Sequence, residues 1–210
     1  VAVSPDDAAE IRRITLVNHG SRTRTLELTS AAELSLAPHE GDRAHPAFSK
    51  LFIQTEARPE WQALLAWRRL RSPGDRPIWV AHLVTESSAS EQPFEYETDR
   101  MRALGRGCTW RNPSLATEQS QGYVLDPVFA IRRRYTIEPR QQKQVVFVTI
   151  AAGTREDLFR LIAKYRDADV CNRTFELSWS HAQLEYRYLG IRSDAAFRFS
   201  ELASHLLYPN

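Results

Sequence analysis

The segment YETDRMRALGRGCTWRN, residues 96–112, holds the densest group of side chains that could do chemistry. It places carboxylates, guanidinium groups and an indole around two glycines. A ligand with many hydroxyl groups, or a contact with another domain, would need this combination of polar groups and an aromatic face. A solvated loop has the same composition. The candidate substrate-binding residues are Glu97, Asp99, Arg100, Arg106 and Trp110.

The two carboxylates of this segment could in principle act on a glycosidic bond. That reaction needs one carboxylic acid at the glycosidic oxygen and a second carboxylate, or phosphate, as its partner. Glu97 and Asp99 are two residues apart and would share a face of a strand. Carboxylates beside arginines form surface ion pairs more often than catalytic pairs, so we predict ion pairs and no catalytic residue here.

The two glycines of this segment give little support for a nucleotide-binding site. Gly105 and Gly107 flank Arg106, but a phosphate-binding loop would add a third glycine or a Lys-Ser/Thr pair. The Arg106 guanidinium could still bind an anion.

The sequence also contains no motif for metal binding or for a catalytic nucleophile. The six histidines are scattered, and no CxxC, HxH, HExxH or GxSxG pattern is present. His39, Glu40, Asp42 and His45 cluster in a Pro/Gly-containing stretch, where solvated loop residues are expected. Two cysteines do not build a disulfide framework in a chain of this length, which favours free thiols in a reducing compartment. We therefore predict no metal and no cofactor.

The overall composition is that of an ordinary globular protein. The 210 residues are 42% hydrophobic and 26% charged, and the net charge of +2 is too small to predict nucleic-acid binding. The run 132–134 is Arg-Arg-Arg, but strand alternation sends these side chains to both faces, so a solvated strand end is predicted. No apolar run reaches the roughly 18 residues that span a bilayer.

Residue patterns predict strands in the first three quarters of the chain. A hairpin is predicted over 11–29 with its turn at 19–22, a loop over 37–47, and a central strand over 78–85 that is apolar on both faces. Residues 59–71 fit a helix and a strand equally well. The polar stretch 86–95 is the best candidate for a mobile loop. Further strands are predicted over 48–55, 122–139 and 144–151.

One charged residue falls on a predicted apolar strand face. Arg133 shares its face with Phe129, Ile131, Tyr135 and Ile137. It must therefore be paired, lie at a rim, or be displaced by a bulge. The patterns around Trp79 and Trp179 predict core positions for both indoles.

The pattern changes to helical spacing after about residue 152. Thr154 and Asp157 form a capping-box variant, Asp169 is predicted to cap a second helix, and Asp194 to start a third. Apolar stripes are expected to face inward on the second and third helices. These stripes are Phe175, Trp179, Ala182, Tyr186 and Leu189, then Phe199, Leu202, Ala203 and Leu206. Strands followed by helices indicate an α+β fold that is mainly β, or a β domain followed by a linker of helices.

Several segments together resemble one known family. They are HPAFSKLFIQTE (45–56), PIWVAHLV (77–84), YETDRMRALGRG (96–107), GYVLDPVFAIRRR (122–134) and TIAAGTREDLFRLIAKYRD (149–167). They resemble the β-sandwich of glycoside hydrolase family 94, formerly classed as a glycosyltransferase family, and in particular its copy near the C-terminal end of bacterial cyclic β-1,2-glucan synthases. The likeness covers about residues 11–208, and the ETDR…LGRG and LDP…RR segments are its most specific parts.

The resemblance implies a large antiparallel β-sandwich of the supersandwich, galactose-mutarotase-like kind over residues 1–153. Linker helices over 154–210 would lead to an (α/α)6 barrel that carries the catalytic acid, where phosphate attacks the glycosidic bond. The first residue is not Met and the last residues follow an apolar helical stretch, so we expect both ends to be cut from a longer protein. The chain itself is then expected to lack the catalytic acid.

The implied partners are a β-glucan oligosaccharide or polysaccharide, the downstream barrel, and a second copy in a homodimer. The ETDR…LGRG segment would be a contact or cleft-edge element. Glucosyl transfer from UDP-glucose and membrane insertion would belong to other domains, which places this chain on the cytoplasmic side of an inner-membrane-bound parent. Two alternatives stay open: an autonomous carbohydrate-binding module, and a purely structural scaffold or dimerisation domain.

Overall fold

The computed structural model describes residues 1–72, 74–86, 93–114 and 118–207, and for residue 207 only the backbone. Within these residues the chain is β-rich up to residue 152 and helical from residue 155. The strands are β1 Ala2–Val3, β2 Ala9–Val17, β3 Arg24–Glu33, β4 Ile53–Arg58, β5 Ala63–Arg68, β6 Trp79–Thr85, β7 Glu95–Asp99, β8 Pro127–Ile137 and β9 Gln142–Ala152. The helices are α1 His39–Ala44, α2 Pro46–Lys50, α3 Arg100–Leu104, α4 Arg155–Tyr165, α5 Ala168–Tyr188 and α6 Ser193–Leu207, with a 3-10 turn at Pro59–Trp61.

The strands form two antiparallel sheets that pack face to face. The larger has the order β1-β2-β9-β6-β5-β4 and the smaller has the order β3-β8-β7. The predicted mainly β, antiparallel sandwich with C-terminal helices is therefore confirmed. The stretch 86–95, predicted as a mobile loop, lies largely outside the described residues, since these omit 87–92.

The six-stranded sheet is buried on both of its faces. One face meets the three-stranded sheet through residues such as Val84, Phe129 and Phe147. The opposite face packs on α4 through residues such as Leu83 and Leu158. This three-layer arrangement explains why β6 is apolar on both faces, as predicted, since it lies between β5 and β9 in the sheet.

The predicted hairpin over 11–29 is wrong. Strand β2 belongs to the larger sheet and β3 to the smaller, so the turn crosses from one sheet to the other. Strands β8 and β9, joined by a short turn, cross in the same way. Buried Asn18 links the two turns: its Nδ2 donates to the carbonyls of Arg22 (2.8 Å) and Ile137 (2.9 Å), and its backbone N–H donates to Gln141 O (3.0 Å).

Other local predictions also need correction. The strand predicted over 48–55 begins only at Ile53, because Pro46 at a first helical turn starts α2 instead. The loop predicted over 37–47 contains α1 and the start of α2. The ambiguous segment 59–71 resolves into the 3-10 turn and β5, in which four consecutive residues are buried. The strand predicted from residue 122 begins at Pro127.

The arginine run 132–134 lies inside β8 and is not a solvated strand end. Arg132 and Arg134 point outward and pair with Glu95 (2.6 Å) and Glu27 (2.6 Å). Arg133 points inward and is buried, where its Nη1 donates to the carbonyl of Pro93 at 3.2 Å. The alternation of these three side chains between the two faces of the strand was predicted. Of the three outcomes predicted for Arg133, the structure shows the paired one.

A buried polar cluster surrounds Arg133. Its guanidinium donates to the Gln62 side chain and lies 3.4 Å from the Glu86 carboxylate, which is itself buried. Tyr135 donates its hydroxyl to the same carboxylate at 2.8 Å. Burial, and then this hydrogen bond to Glu86, raise the pKa of Tyr135 above its ordinary value. Each charge inside the sandwich therefore has an opposite charge or a polar group beside it.

The C-terminal helices differ in how far they are buried. Helix α4 has the predicted Thr154 cap, whose Oγ1 accepts from Asp157 N at 3.1 Å, and it buries its apolar face. Helix α5 is capped by Asp167 and not by Asp169. The inward stripes predicted on α5 and α6 are largely wrong, since Trp179 is 68% exposed and Leu206 is 75% exposed. The core position predicted for Trp179 is therefore also wrong, whereas Trp79 packs against the core.

His82 on β6 is a neutral imidazole at the centre of the sandwich. Its Nδ1 lies 3.0 Å from Thr149 Oγ1 on β9, and its Nε2 lies 2.9 Å from Ser30 Oγ on β3 of the other sheet. The rings of Phe129 and Phe147 stack on it. Burial lowers the pKa of His82 from 6.5 to about 4.

We expect His82 to make the protein acid-sensitive. Between pH 6.5 and 4 the unfolded chain binds a proton at this imidazole that the folded chain does not bind. The free energy of unfolding should therefore fall by about 3 kcal/mol as the pH drops through this window. Denaturant unfolding at a series of pH values measures this slope.

The His82→Gln variant should be less stable at pH 7. The dependence of its unfolding free energy on pH should decrease by the contribution of about one bound proton. His19→Gln, at an exposed histidine, is the matched control and should keep the wild-type slope. An unchanged slope in His82→Gln would contradict the assignment.

Candidate functional site

The 96–112 segment folds onto one end of the three-stranded sheet. Strand β7 ends at Asp99, whose carboxylate caps α3 by accepting from Met101 N (2.8 Å) and Arg102 N (3.4 Å). Gly105 then reverses the chain with a φ of +85°. A Cβ at Gly105 would lie 2.1 Å from Ser114 Oγ, so glycine is required at this point.

The reversal returns Trp110 to the outer face of the sheet. Its indole packs against a small apolar cluster formed by Ala103 of α3 and by Val128 and Ala130 of β8. The indole Nε1 donates to Glu33 Oε1 at 3.0 Å. The ring is therefore fixed in position by packing and by a hydrogen bond.

A cavity of about 500 Å³ opens beside the indole. It is lined by Thr29, Ala31, Glu33, Trp110 and Pro113. The Thr29 hydroxyl is enclosed, and no residue that the structure describes hydrogen-bonds to it. The cavity thus offers an aromatic ring and a carboxylate within one small space, with the enclosed Thr29 hydroxyl behind its wall.

Glu33 is the electrostatic centre of this site. The hydrogen bond from Trp110, and then the one from Arg100, hold the pKa of Glu33 below its ordinary value. Arg100 Nε donates to Glu33 Oε1 at 2.7 Å, and this bond raises the pKa of Arg100. On its other side Arg100 lies 3.7 Å from Asp126, whose carboxylate pairs with Lys50 at 2.6 Å. Alternating charges therefore hold four separate chain segments together.

Glu97 does not form the predicted surface ion pair. It is fully buried, and its carboxylate accepts from three backbone N–H groups. These are Thr98 N (2.8 Å), Asp99 N (2.9 Å) and Glu118 N (3.1 Å). Asp99 is likewise engaged by backbone as the helix cap. Both carboxylates therefore organise the segment around the cavity and do not line it.

Arg106 lies apart from the cavity. It is exposed on the turn after α3 and forms no hydrogen bond or ion pair through its side chain with any described residue. Of the five predicted residues, the structure brings together Arg100 and Trp110. It adds Glu33, Thr29 and Asp126, which lie far away in sequence.

The alternation of side chains along β3 was the sequence feature that could have identified Thr29 and Glu33 as site residues. Thr29, Ala31 and Glu33 occupy alternate positions, which places them on one face of the strand. The hairpin prediction ended at residue 29 and so did not extend to Glu33.

The arrangement suits binding of a hydroxyl-rich ligand. An ionised carboxylate accepts hydrogen bonds from alcohol groups, and an indole packs on the apolar side of a saturated ring. Glu33 is poorly suited to donate a proton, because a general acid needs a raised pKa.

Residues 1–72, 74–86, 93–114 and 118–207 contain neither a candidate metal site nor a candidate membrane-spanning helix. No group of three or more His, Cys, Asp or Glu side chains there could hold a metal ion. None of the helices in those ranges combines the length and apolarity needed to cross a membrane.

Comparison with known proteins gives a consistent result. A model of the glycosyl hydrolase 94 supersandwich domain matches residues 1–168. This match extends past residue 153 and includes α4, which packs against the six-stranded sheet. Cyclic beta-(1,2)-glucan synthase NdvB of Rhizobium meliloti (strain 1021) is 38% identical over 213 residues. The alignment covers 99% of this chain and 8% of NdvB, so the chain spans less than a tenth of the length of that relative. With both its architecture and its sequence in agreement, the chain belongs to the glycosyl hydrolase 94 supersandwich-domain family.

Proposed function

We propose that this chain is a non-catalytic sandwich of a glucan-active enzyme and that it holds part of a β-glucan in the Trp110 cavity. The observation that carries the proposal is the fixed indole, which is bonded to ionised Glu33 beside a cavity of about 500 Å³. The relative's name, a cyclic β-(1,2)-glucan synthase, supports glucan as the ligand class. The sandwich would then form one wall of the cleft in which a catalytic domain works.

The ligand would lie against the indole with its hydroxyl groups toward Glu33. The Glu33 carboxylate is already oriented in the free protein, because Arg100 and Trp110 both hold it. Binding then costs little side-chain ordering. Because the site is shallow and would hold a single sugar unit, we expect weak affinity. Weak affinity suits a surface that positions a long chain.

Replacing Trp110 by alanine should weaken glucan binding about tenfold, because the stacking surface and the Glu33 hydrogen bond are lost together. Calorimetric titration with β-1,2-linked glucan oligosaccharides measures the change.

Trp179→Ala is the matched control, since that indole is 68% exposed on α5 and distant in sequence from the site. It should bind as the wild type does. Equal binding by all three proteins would remove the Trp110 cavity from the proposal, and no heat signal at millimolar sugar would favour the purely structural scaffold.

Because the chain is proposed to lack the catalytic acid, we expect no phosphorolysis. Incubation with β-1,2-glucan and inorganic phosphate should release no glucose 1-phosphate, measured with a coupled enzyme assay. Release above the rate of a Glu33→Gln variant would overturn the non-catalytic assignment.

The exposed apolar side chains of α5 and α6 suggest a second contact. Leu184, Tyr188, Phe197 and Leu206 are all more than 60% exposed. Faces of this kind mark interaction surfaces in proteins. We propose that they pack on a neighbouring domain of a longer, inner-membrane-bound parent, with this chain on the cytoplasmic side.

In such a parent protein the amides of α6 should exchange hydrogen at least about tenfold more slowly than in this chain alone, because the docked domain covers the helix. Hydrogen exchange followed by mass spectrometry measures this. Paired Leu202→Ser and Leu206→Ser changes should abolish the difference, whereas Glu201→Ser should keep it. Equal rates in both proteins would contradict the contact.

A further inference from the structure

A second, larger cleft lies away from the Trp110 cavity. It measures about 1360 Å³, and it is lined by some residues of the segments 36–49 and 68–78, by Ala8, and by residues 151–153 at the end of β9. Its volume exceeds what a bare inorganic ion needs and lies above the roughly 300–1,000 Å³ of most small-molecule clefts, so a small organic molecule fits with room to spare.

Arginines dominate the charge of this cleft. Arg68, Arg71 and Arg76 line it, and Asp75 is the carboxylate among its lining residues. Asp75 is already occupied: Oδ2 accepts from Arg71 N (2.7 Å) and Ser72 N (3.2 Å), and Oδ1 accepts from the Ser72 hydroxyl (3.0 Å). No described carboxylate lies within ion-pair distance of the three guanidinium groups. The lining therefore carries an excess of two positive charges.

Two phenylalanine rings hold Arg71 in place. Its Cζ lies 4.9 Å from the centre of the Phe52 ring and 5.1 Å from that of Phe48. The two rings contact each other edge to face at 5.2 Å. Stacking uses the face of the guanidinium and leaves the N–H groups at its edge available. Arg71 is thus positioned with unused hydrogen-bond donors.

The other two arginines add to the same field. Arg68 Cζ lies 5.4 Å from the centre of the Phe52 ring, and its Nη1 donates to Ser49 O at 2.9 Å. The Arg76 side chain has no hydrogen-bond or ion-pair partner among the described residues. Like charges gathered on one wall repel each other, and a bound anion removes that repulsion.

We propose that this cleft binds a phosphorylated sugar. A phosphate monoester carries close to two negative charges at neutral pH, which matches the excess positive charge, and its oxygens fit the forked N–H groups of arginine. The remaining volume and the apolar walls, which include Ile78 and Pro77, accommodate the sugar ring. This site is independent of the proposed glucan cavity.

The test is a calorimetric titration of the chain with glucose 6-phosphate, glucose and inorganic phosphate at low ionic strength. Glucose 6-phosphate should bind at least about tenfold more tightly than either of the other two compounds, and added salt should weaken it. Arg71→Gln and Arg76→Gln should each weaken its binding about tenfold. Arg198→Gln, at an exposed arginine on α6, is the matched control and should have no effect.

Thermal unfolding of each variant separates loss of the ligand site from loss of the fold, and Arg76→Gln removes no described contact. Equal affinity for glucose would overturn the phosphoryl part of the proposal. Equal affinity for inorganic phosphate would overturn the sugar part. Absence of binding at 10-millimolar-scale ligand, about the weakest range calorimetry resolves, would overturn it entirely. Trp110→Ala should bind glucose 6-phosphate normally, so failure of the glucan proposal is distinguishable.

Discussion

Burial of the six-stranded sheet on both faces is the constraint from which the rest of the structure follows. A sheet covered on one side by a second sheet and on the other by α4 must be apolar on both faces at its centre. Any polar side chain there must find a partner inside the protein. His82 spans from Ser30 to Thr149, and Arg133 reaches Glu86, so both obey this rule. The His82–Ser30 and Arg133–Glu86 contacts also join the two sheets, because Ser30 and Arg133 belong to the smaller sheet, His82 belongs to the larger, and Glu86 directly follows β6.

Local features such as helix caps and strand alternation could be predicted from the sequence. The sheet to which each strand belongs could not. The Thr154 cap, the two-sided apolar β6 and the alternation of β8 follow from side-chain types within a few residues. The turn after β2 looks like a hairpin turn in sequence, because alternation is identical whether two strands pair or oppose each other across a core. Buried Asn18 bonds both crossing turns, and its partner Ile137 is 119 residues away, so this contact could not be predicted from the local sequence.

The candidate site shows the same division. Composition pointed to Trp110 and Arg100, because an indole and a guanidinium stand out in a glycine-containing segment. Their shared acceptor Glu33 is 77 and 67 residues distant from them, respectively. The apolar stripes of α5 and α6 led to the wrong prediction that these stripes face inward, for a related reason. Amphipathic spacing indicates that a helix face is to be covered, but it does not say whether the same chain covers it.

The two surface sites differ in charge, and this difference decides what each can hold. At the Trp110 cavity the lining carboxylate Glu33 is paired with Arg100, and the neighbouring Asp126 is paired with Lys50. Such a site has no excess charge to offer and selects through shape and hydroxyl geometry, which suits a neutral sugar. In the arginine cleft the guanidinium groups of Arg68 and Arg71 lie near aromatic rings, which hold them without neutralising them. Aromatic support therefore preserves a positive field that an ion pair would have cancelled, and the cleft can discriminate a charged sugar from a neutral one.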